Sequence, residues 1–211
     1  MPVVELLTGT GLALSAGLNA YVPMLALGLL ARYSTLVTLP PEWTWLTEPW
    51  VLGVLGALFV IEIVADKLPA VDHLNDLVQT VVRPTSGGLV FAAGVTAQTP
   101  AMSEPAATSS ASTVLPIVLG VVLALVVHLV KALARPVVNL STAGTGAPVM
   151  SVVEDITSTT LAILAILVPI FVVVFVAGLV AVGVTASRQR RRHQRRMIVP
   201  PPRPPTPRPP T

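Results

Sequence analysis

The sequence predicts an all-α integral membrane protein of five or six transmembrane helices, some of them interrupted or re-entrant, on three observations. Hydrophobic residues make up 53% of the 211 and mean hydropathy is +0.80, too apolar for the surface of a soluble domain of this size. Long apolar runs, several broken by glycine or proline, fill residues 9–186. At Ser187 the chain changes character, reading Arg188-Gln-Arg-Arg-Arg192-His-Gln-Arg-Arg196 and then Pro200-Pro-Pro-Arg-Pro-Pro-Thr-Pro-Arg-Pro-Pro. Residues 1–187 are therefore expected to form a polytopic transmembrane domain, and 188–211 a disordered Arg/Pro-rich cytoplasmic tail.

The first apolar segment, about Thr8 to Leu30, opens Thr8-Gly-Thr-Gly11, carries Gly17 and Asn19, and meets Pro23 before a clean apolar stretch. Pro23 cannot donate the hydrogen bond that the Asn19 carbonyl would accept, so a kink is expected there. Residues 33–50 form a polar and aromatic linker whose Trp43, Trp45 and Trp50 look like an interfacial belt. Val51 to about Leu68 is a helix with Glu62 and Asp66 in its second half, stopped by Pro69. Asp72 to Arg83 reads as a short amphipathic helix ending before Pro84, with Asp72 as its N-cap. Ser86 to about Gln98 is roughly 20 Å long as a helix, short of the ~30 Å hydrocarbon core, and is either a tilted span or a re-entrant piece. A Ser/Ala/Thr/Pro loop over 99–113 precedes a clear span from Val114 to about Arg135. A Gly-rich break at 141–148 leads into a mostly apolar run, 149–186, interrupted at Pro169.

Two internal matches suggest duplication. Val51-Leu-Gly-Val54 aligns with Val118-Leu-Gly-Val121, bringing Pro69 onto Pro136 and Asp72 onto Asn139. Gly9-Thr-Gly11 aligns with Gly144-Thr-Gly146, setting Asn19 opposite Glu154. Repeats with interrupted helices mark transporters and channels, although short matches between apolar segments also arise by chance.

Charge is strongly segregated. The tail 188–211 carries eight arginines and no acid, while residues 1–187 hold five basic groups against ten acids, a net of −5. Positive-inside retention at a cell membrane explains the tail without a second partner, so nucleic acid is set aside as a ligand. An anionic lipid or a protein partner would suit it instead. Cysteine is absent, which excludes disulfides, thiolate metal sites and Cys nucleophiles. The N-terminus lacks the basic region of a signal peptide, so the first apolar segment is expected to stay in the mature protein.

Ionisable residues inside membrane segments are costly and mark paths or sites. Glu62 and Asp66 share one helix face, as do His128, Lys131 and Arg135 at i, i+3 and i+7. An acidic face and a basic one would close into a buried network; the competing expectation is that Lys131 and Arg135 snorkel to the interface. Asp72, His73 and Asp76 invite a divalent-cation reading, outweighed by simple capping of the helix start. Ser151-Val-Val-Glu154 fits a capping box, with Asp155 beside it at a membrane helix entrance. No metal or cofactor motif, and no Ser/His/Asp constellation of an enzyme, is present.

Gly17-Leu-Asn-Ala-Tyr-Val-Pro23, Glu62-Ile-Val-Ala-Asp-Lys-Leu-Pro69, Asp72-His-Leu-Asn-Asp76 and Arg83-Pro84 resemble, in order, motifs of a bacterial membrane family catalogued as domain of unknown function 4126. His128-Leu-Val-Lys-Ala132, Arg135, Asn139 and Ser151-Val-Val-Glu-Asp155 resemble its later motifs. The resemblance covers roughly residues 8–175. It implies a small polytopic helical membrane protein of the inner membrane whose functional set is these polar positions, and it carries no activity with it.

The expected function is passage of an ion or small solute through a site of Asn19, Glu62, Asp66, His128, Lys131, Arg135, Glu154 and Asp155. The carboxylates would take a cation or proton, Lys131 and Arg135 would neutralise the empty site, and His128 would relay protons. A chain this small would enclose a pore as a homo-oligomer, with a monomeric transporter as the alternative. The rival expectation is a non-transporting scaffold or accessory subunit whose buried charges serve fold specificity.

Overall fold

The computed structural model describes residues 3–66, 69–101, 114–142, 145–178, 180–181 and 185, with backbone only for 69–74, 76, 139 and 147. They form helices α1 (Val3–Leu18), α2 (Val22–Tyr33), a 3₁₀ helix (Pro41–Thr47), α3 (Pro49–Ala65), α4 (Pro69–Thr96), α5 (Val114–Ser141) and α6 (Gly146–Leu167). The fold is all-helical, as expected. Among the described residues two helices, Val114–Val138 and Pro148–Leu167, are long and apolar enough to cross a membrane, and the 3₁₀ helix with α3, bent by 61°, makes up to three candidate spans. These apolar helices mark a membrane protein. Only 22% of the Val114–Val138 window is buried, so its outward valines and leucines need an apolar surrounding that the protein does not supply.

Residues 3–173 form one compact unit, and a second unit begins at Val174. In the first, α1 packs against α4, α5 and α6, and α4 against α5. The crossings are made where side chains are absent. A Cβ at Gly9 would meet Phe91 and Val95, one at Gly11 would meet Ala165 and Val172, and one at Gly120 would meet the Gly87 carbonyl oxygen and Phe91. Small residues of this kind let helix backbones approach closely where dispersion, not water, drives association. Ala13, Phe91 and Val95 form the buried centre between α1 and α4. Ser15 and Ser158 lock α1 to α6: each hydroxyl lies 2.9 Å from the other residue's carbonyl and the two oxygens are 2.8 Å apart. The linker after α2 is tied to the end of α4 by an isolated bridge, Thr38 with Gln98. In the second unit the described residues 174–178, 180–181 and 185 are helical.

Several expectations change. The segment Thr8–Leu30 is two helices, broken at residues 19–21. Pro84 does not end a helix: α4 runs from Pro69 to Thr96 through it, and α5 runs through Pro136 to Ser141. Each proline removes one backbone donor, but packing of these helices on one another and on α1 outweighs that loss. The segment 86–98, expected as a tilted span or a re-entrant piece, is thus the second half of α4 as far as Thr96. Because α4 starts at Pro69, Asp72 lies inside it and is no N-cap. The 149–186 run breaks at Val168–Pro169, where α6 ends and a helix resumes over 170–178. Trp45 and Trp50 are exposed as a belt would require, but Trp43 is buried. Of the internal matches, Val51-Leu-Gly-Val54 and Val118-Leu-Gly-Val121 both lie inside helices, α3 and α5, whereas Pro69 begins α4 and Pro136 lies inside α5; Gly144 lies outside the described residues. The tail 188–211 and its boundary at Ser187 lie outside the described residues, as does most of the 99–113 loop.

Two measurements check this packing. Gly120→Ala forces two helix backbones apart and is expected to lower stability by about 1–3 kcal/mol, whereas Gly53→Ala, open to its surroundings, should be neutral or gain up to about 1 kcal/mol of helix propensity. Thermal unfolding in detergent compares the two. A double-mutant cycle on Ser15→Ala and Ser158→Ala should show coupling of about 0.6 kcal/mol and no more than about 1.7.

Candidate functional site

Asp66 caps the C-terminus of α3, one turn beyond Glu62, and the i, i+4 spacing points both carboxylates inward. Their side chains are 3% and 2% exposed. Glu62 Oε1 accepts from Arg83 Nη2 at 2.8 Å. Asp66 is the meeting point of the cluster. Its Oδ2 lies 3.3 Å from Lys131 Nζ, 3.3 Å from Arg135 Nη2 and 3.9 Å from Arg83 Nη2. Its Oδ1 accepts from Asn75 Nδ2 at 2.6 Å. The negative end of the α3 dipole adds to the attraction.

The basic face comes from α5, where His128, Lys131 and Arg135 are all buried. Lys131 spreads its ammonium over three elements: Asp66, Glu154 Oε2 of α6 at 2.8 Å, and the Leu18 carbonyl at the end of α1 at 3.4 Å. An ammonium has three donors and no acceptor, and here each donor has an oxygen. The snorkelling expectation for Lys131 and Arg135 is therefore overturned, because buried Asp66 holds both side chains inside and Glu154 holds Lys131 as well. The expected closure of an acidic helix face on a basic one is what the structure has.

The break between α1 and α2 completes the site. Asn19 Oδ1 accepts from the backbone N–H of Tyr21 and Val22, at 3.1 and 3.2 Å, so its side chain caps α2 from outside the helix. Asn19 Nδ2 donates to Asp155 Oδ1 at 2.9 Å. Breaking the helix frees carbonyls that cannot stay bare in an apolar medium. Lys131 reaches Leu18, Arg83 Nη1 lies 3.5 Å from the Gly17 oxygen, and Ser86 donates to Ala20 at 2.5 Å. Asn19 thus combines the expected break with a direct place in the cluster.

His128 is wired to the same charges. Its Nδ1 lies 3.4 Å from Arg83 Nη1 and its Nε2 3.1 Å from Thr80 Oγ1. A guanidinium cannot accept, so a hydrogen bond between the two takes Nδ1 as the acceptor.

All eight expected residues are thus brought into one cluster; of them only Asp155 is half-buried rather than buried. Arg83 was not among them. It is 0% exposed and sits at the centre of the contacts, although the sequence alone marked it only as the end of a short helix and as part of the family-like motif Arg83-Pro84. Its signal was the Arg-Pro dipeptide that recurs as Arg135-Pro136, each sending a guanidinium to Asp66. Gln79 and Ser151 were likewise passed over as members, although both are fully buried. Ser151 belongs to no capping box, because α6 begins at Gly146 and Ser151 lies inside it. Five buried acceptor oxygens in this region have no hydrogen-bond partner: Glu62 Oε2, Gln79 Oε1, Ser151 Oγ and both oxygens of Glu154, of which Oε2 is ion-paired with Lys131 at 2.8 Å. Among the described residues no three His, Asp or Glu side chains converge on a metal position. The side chains of Asp72, His73 and Asp76 lie outside the described residues.

A family model described as Domain of unknown function (DUF4126) matches residues 6–189. No curated protein and no solved structure matches the chain.

Removing Asp66 leaves buried cations without their shared counter-charge. Asp66→Asn is expected to cost about 3–5 kcal/mol, read as a lower unfolding midpoint in detergent. Asp66→Asn with Lys131→Met should recover part of that loss; no recovery would mean that the two residues are not coupled.

Proposed function

We propose that this chain, which belongs to the family described as Domain of unknown function (DUF4126), passes an ion or small solute across a membrane through the cluster around Asp66. The observation that carries this is the broken helix at Asn19, whose freed carbonyls receive Lys131 and Arg83 inside a buried set of charges. Discontinuous helices whose ends meet charged groups at depth are the construction of transporter sites. A closed structural core would leave no acceptor bare, yet four buried oxygens here have neither a hydrogen bond nor an ion pair. The chemistry is binding and release, with no bond made or broken.

The same proposal includes five or six passes. Those beyond the candidate spans of α5, α6 and the bent pair are assigned to α1 with α2, to α4 and to the segment after Pro169. It places the protein in the bacterial inner membrane with its C-terminal tail in the cytoplasm, where the arginines meet anionic lipid or a protein partner. A homo-oligomer would supply the enclosure that one small chain lacks.

A second reading, a scaffold or accessory subunit, has its own support. The buried cations can be matched one to one with carboxylates, Arg83 with Glu62, Lys131 with Glu154 and Arg135 with Asp66, and such a balanced set can serve fold specificity alone.

Reconstituted liposomes separate the two. Wild-type protein is expected to conduct or exchange ions, and Glu62→Gln, paired with Arg83→Gln to avoid a bare guanidinium, should reduce flux to that of empty liposomes while eluting as a folded species. Flux absent from wild type across cations, anions and protons would sink the transport reading in favour of the scaffold.

A further inference from the structure

Charge in the cluster does not balance once Asp155 is included. Asn19 draws its carboxylate to the broken helix beside Glu154. Four carboxylates, Glu62, Asp66, Glu154 and Asp155, then face three permanent cations, Arg83, Lys131 and Arg135. His128 lies 3.4 Å from Arg83 Nη1 and carries no permanent charge. Among the described side chains the set is thus short by one permanent positive charge, and a low-dielectric surrounding makes that shortfall costly.

The shortfall coincides with bare oxygens on one helix turn. Ser151 precedes Glu154 by three residues and Asp155 by four, which places all three on one face of α6. Ser151 Oγ and both oxygens of Glu154 are buried without a hydrogen-bond partner, in residues 0% and 7% exposed. Glu154 Oε2 is ion-paired with Lys131 at 2.8 Å, and Oε1 has no partner. Asn19 occupies Asp155 Oδ1 and leaves Oδ2 to a further partner. Hard oxygen donors of this kind suit an alkali cation, and a divalent ion would overshoot the charge by one.

We infer that the α6 side of the cluster binds one monovalent metal cation between Ser151, Glu154 and Asp155. This rests on the transport reading for its role but not for its existence. The Lys131 ammonium is the resident competitor. An ion arriving at Glu154 weakens its hold on Lys131, which keeps the Asp66 oxygen at 3.3 Å and the Leu18 carbonyl at 3.4 Å. Occupancy of the site is thereby coupled to the end of α1 and to α3.

The test uses the full chain in detergent. Its unfolding midpoint is compared in sodium, potassium and N-methylglucamine chloride at matched ionic strength and pH. A saturable rise with sodium or potassium is expected, because a ligand of the folded state stabilises it by mass action. Asp155→Asn should abolish the rise, and Ser151→Ala should move half-saturation to higher cation concentration. Equal midpoints in the three salts, or a full response retained by Asp155→Asn, would overturn the inference. A midpoint that follows pH and ignores the salt would overturn it in favour of a proton as the missing charge. Flux without cation stabilisation removes this site and leaves the transport reading standing; stabilisation without flux does the reverse.

Discussion

One buried carboxylate, Asp66, organises the polar interior. It is 3% exposed and faces two cations at 3.3 Å and a third at 3.9 Å. An ion taken out of water costs several kcal/mol even after relaxation, so neither this carboxylate nor the cations around it can be inside alone. The end of α3, the middle of α4 and the second half of α5 must therefore come together for any of their charges to be tolerable. That requirement explains why α4 and α5 run on through Pro84 and Pro136. Each proline follows an arginine that contacts Asp66, and ending the helix there would misplace the guanidinium.

The second constraint is the broken helix. Asn19 spends its oxygen on the first amides of α2 and its amide on Asp155, so one side chain closes the break and joins it to α6. The carbonyls released at the end of α1 then need donors, which Lys131, Arg83 and Ser86 provide. Glycines at 9, 11 and 17 bring α1 close enough to α4, α5 and α6 for those reaches to be short. Packing and electrostatics therefore depend on each other. Without the small residues the cations would not meet the carbonyls, and without the break the carbonyls would not be free.

The transport proposal draws on what remains unpaired. Arg83 with Glu62 is a tight, ordinary pair. Lys131 instead divides its ammonium among Asp66, Glu154 and Leu18, on three different elements. A group shared in this way can shift its weight from one partner to another without leaving the site, and a two-state element of that kind is what coupling between distant segments needs. Under the transport proposal Glu62 with Arg83 would be the fixed end of the cluster, and Lys131, Glu154 and Asp155 the exchangeable end.

Composition and pattern by themselves determined the class of protein, the helical content, the interruption near Asn19 and Pro23, and the two faces that meet, Glu62 with Asp66 and His128 with Lys131 and Arg135. These are local properties: apolar runs fix which segments are helical, and a 3.6-residue period fixes which side chains share a face. Only the tertiary structure decided that Arg83 belongs inside, that Lys131 and Arg135 do not snorkel, and that Ser151 lies within a helix and starts none. It also decided that α4 and α5 ignore their prolines. Each of these turns on what a residue meets from another helix, and the free energy of a buried ion pair or of close backbone packing outweighs the local cost that the sequence rules record. No spacing along the chain reveals that Asn19 and Asp155, 136 residues apart, share a hydrogen bond, because the pairing exists only once α1 and α6 are packed.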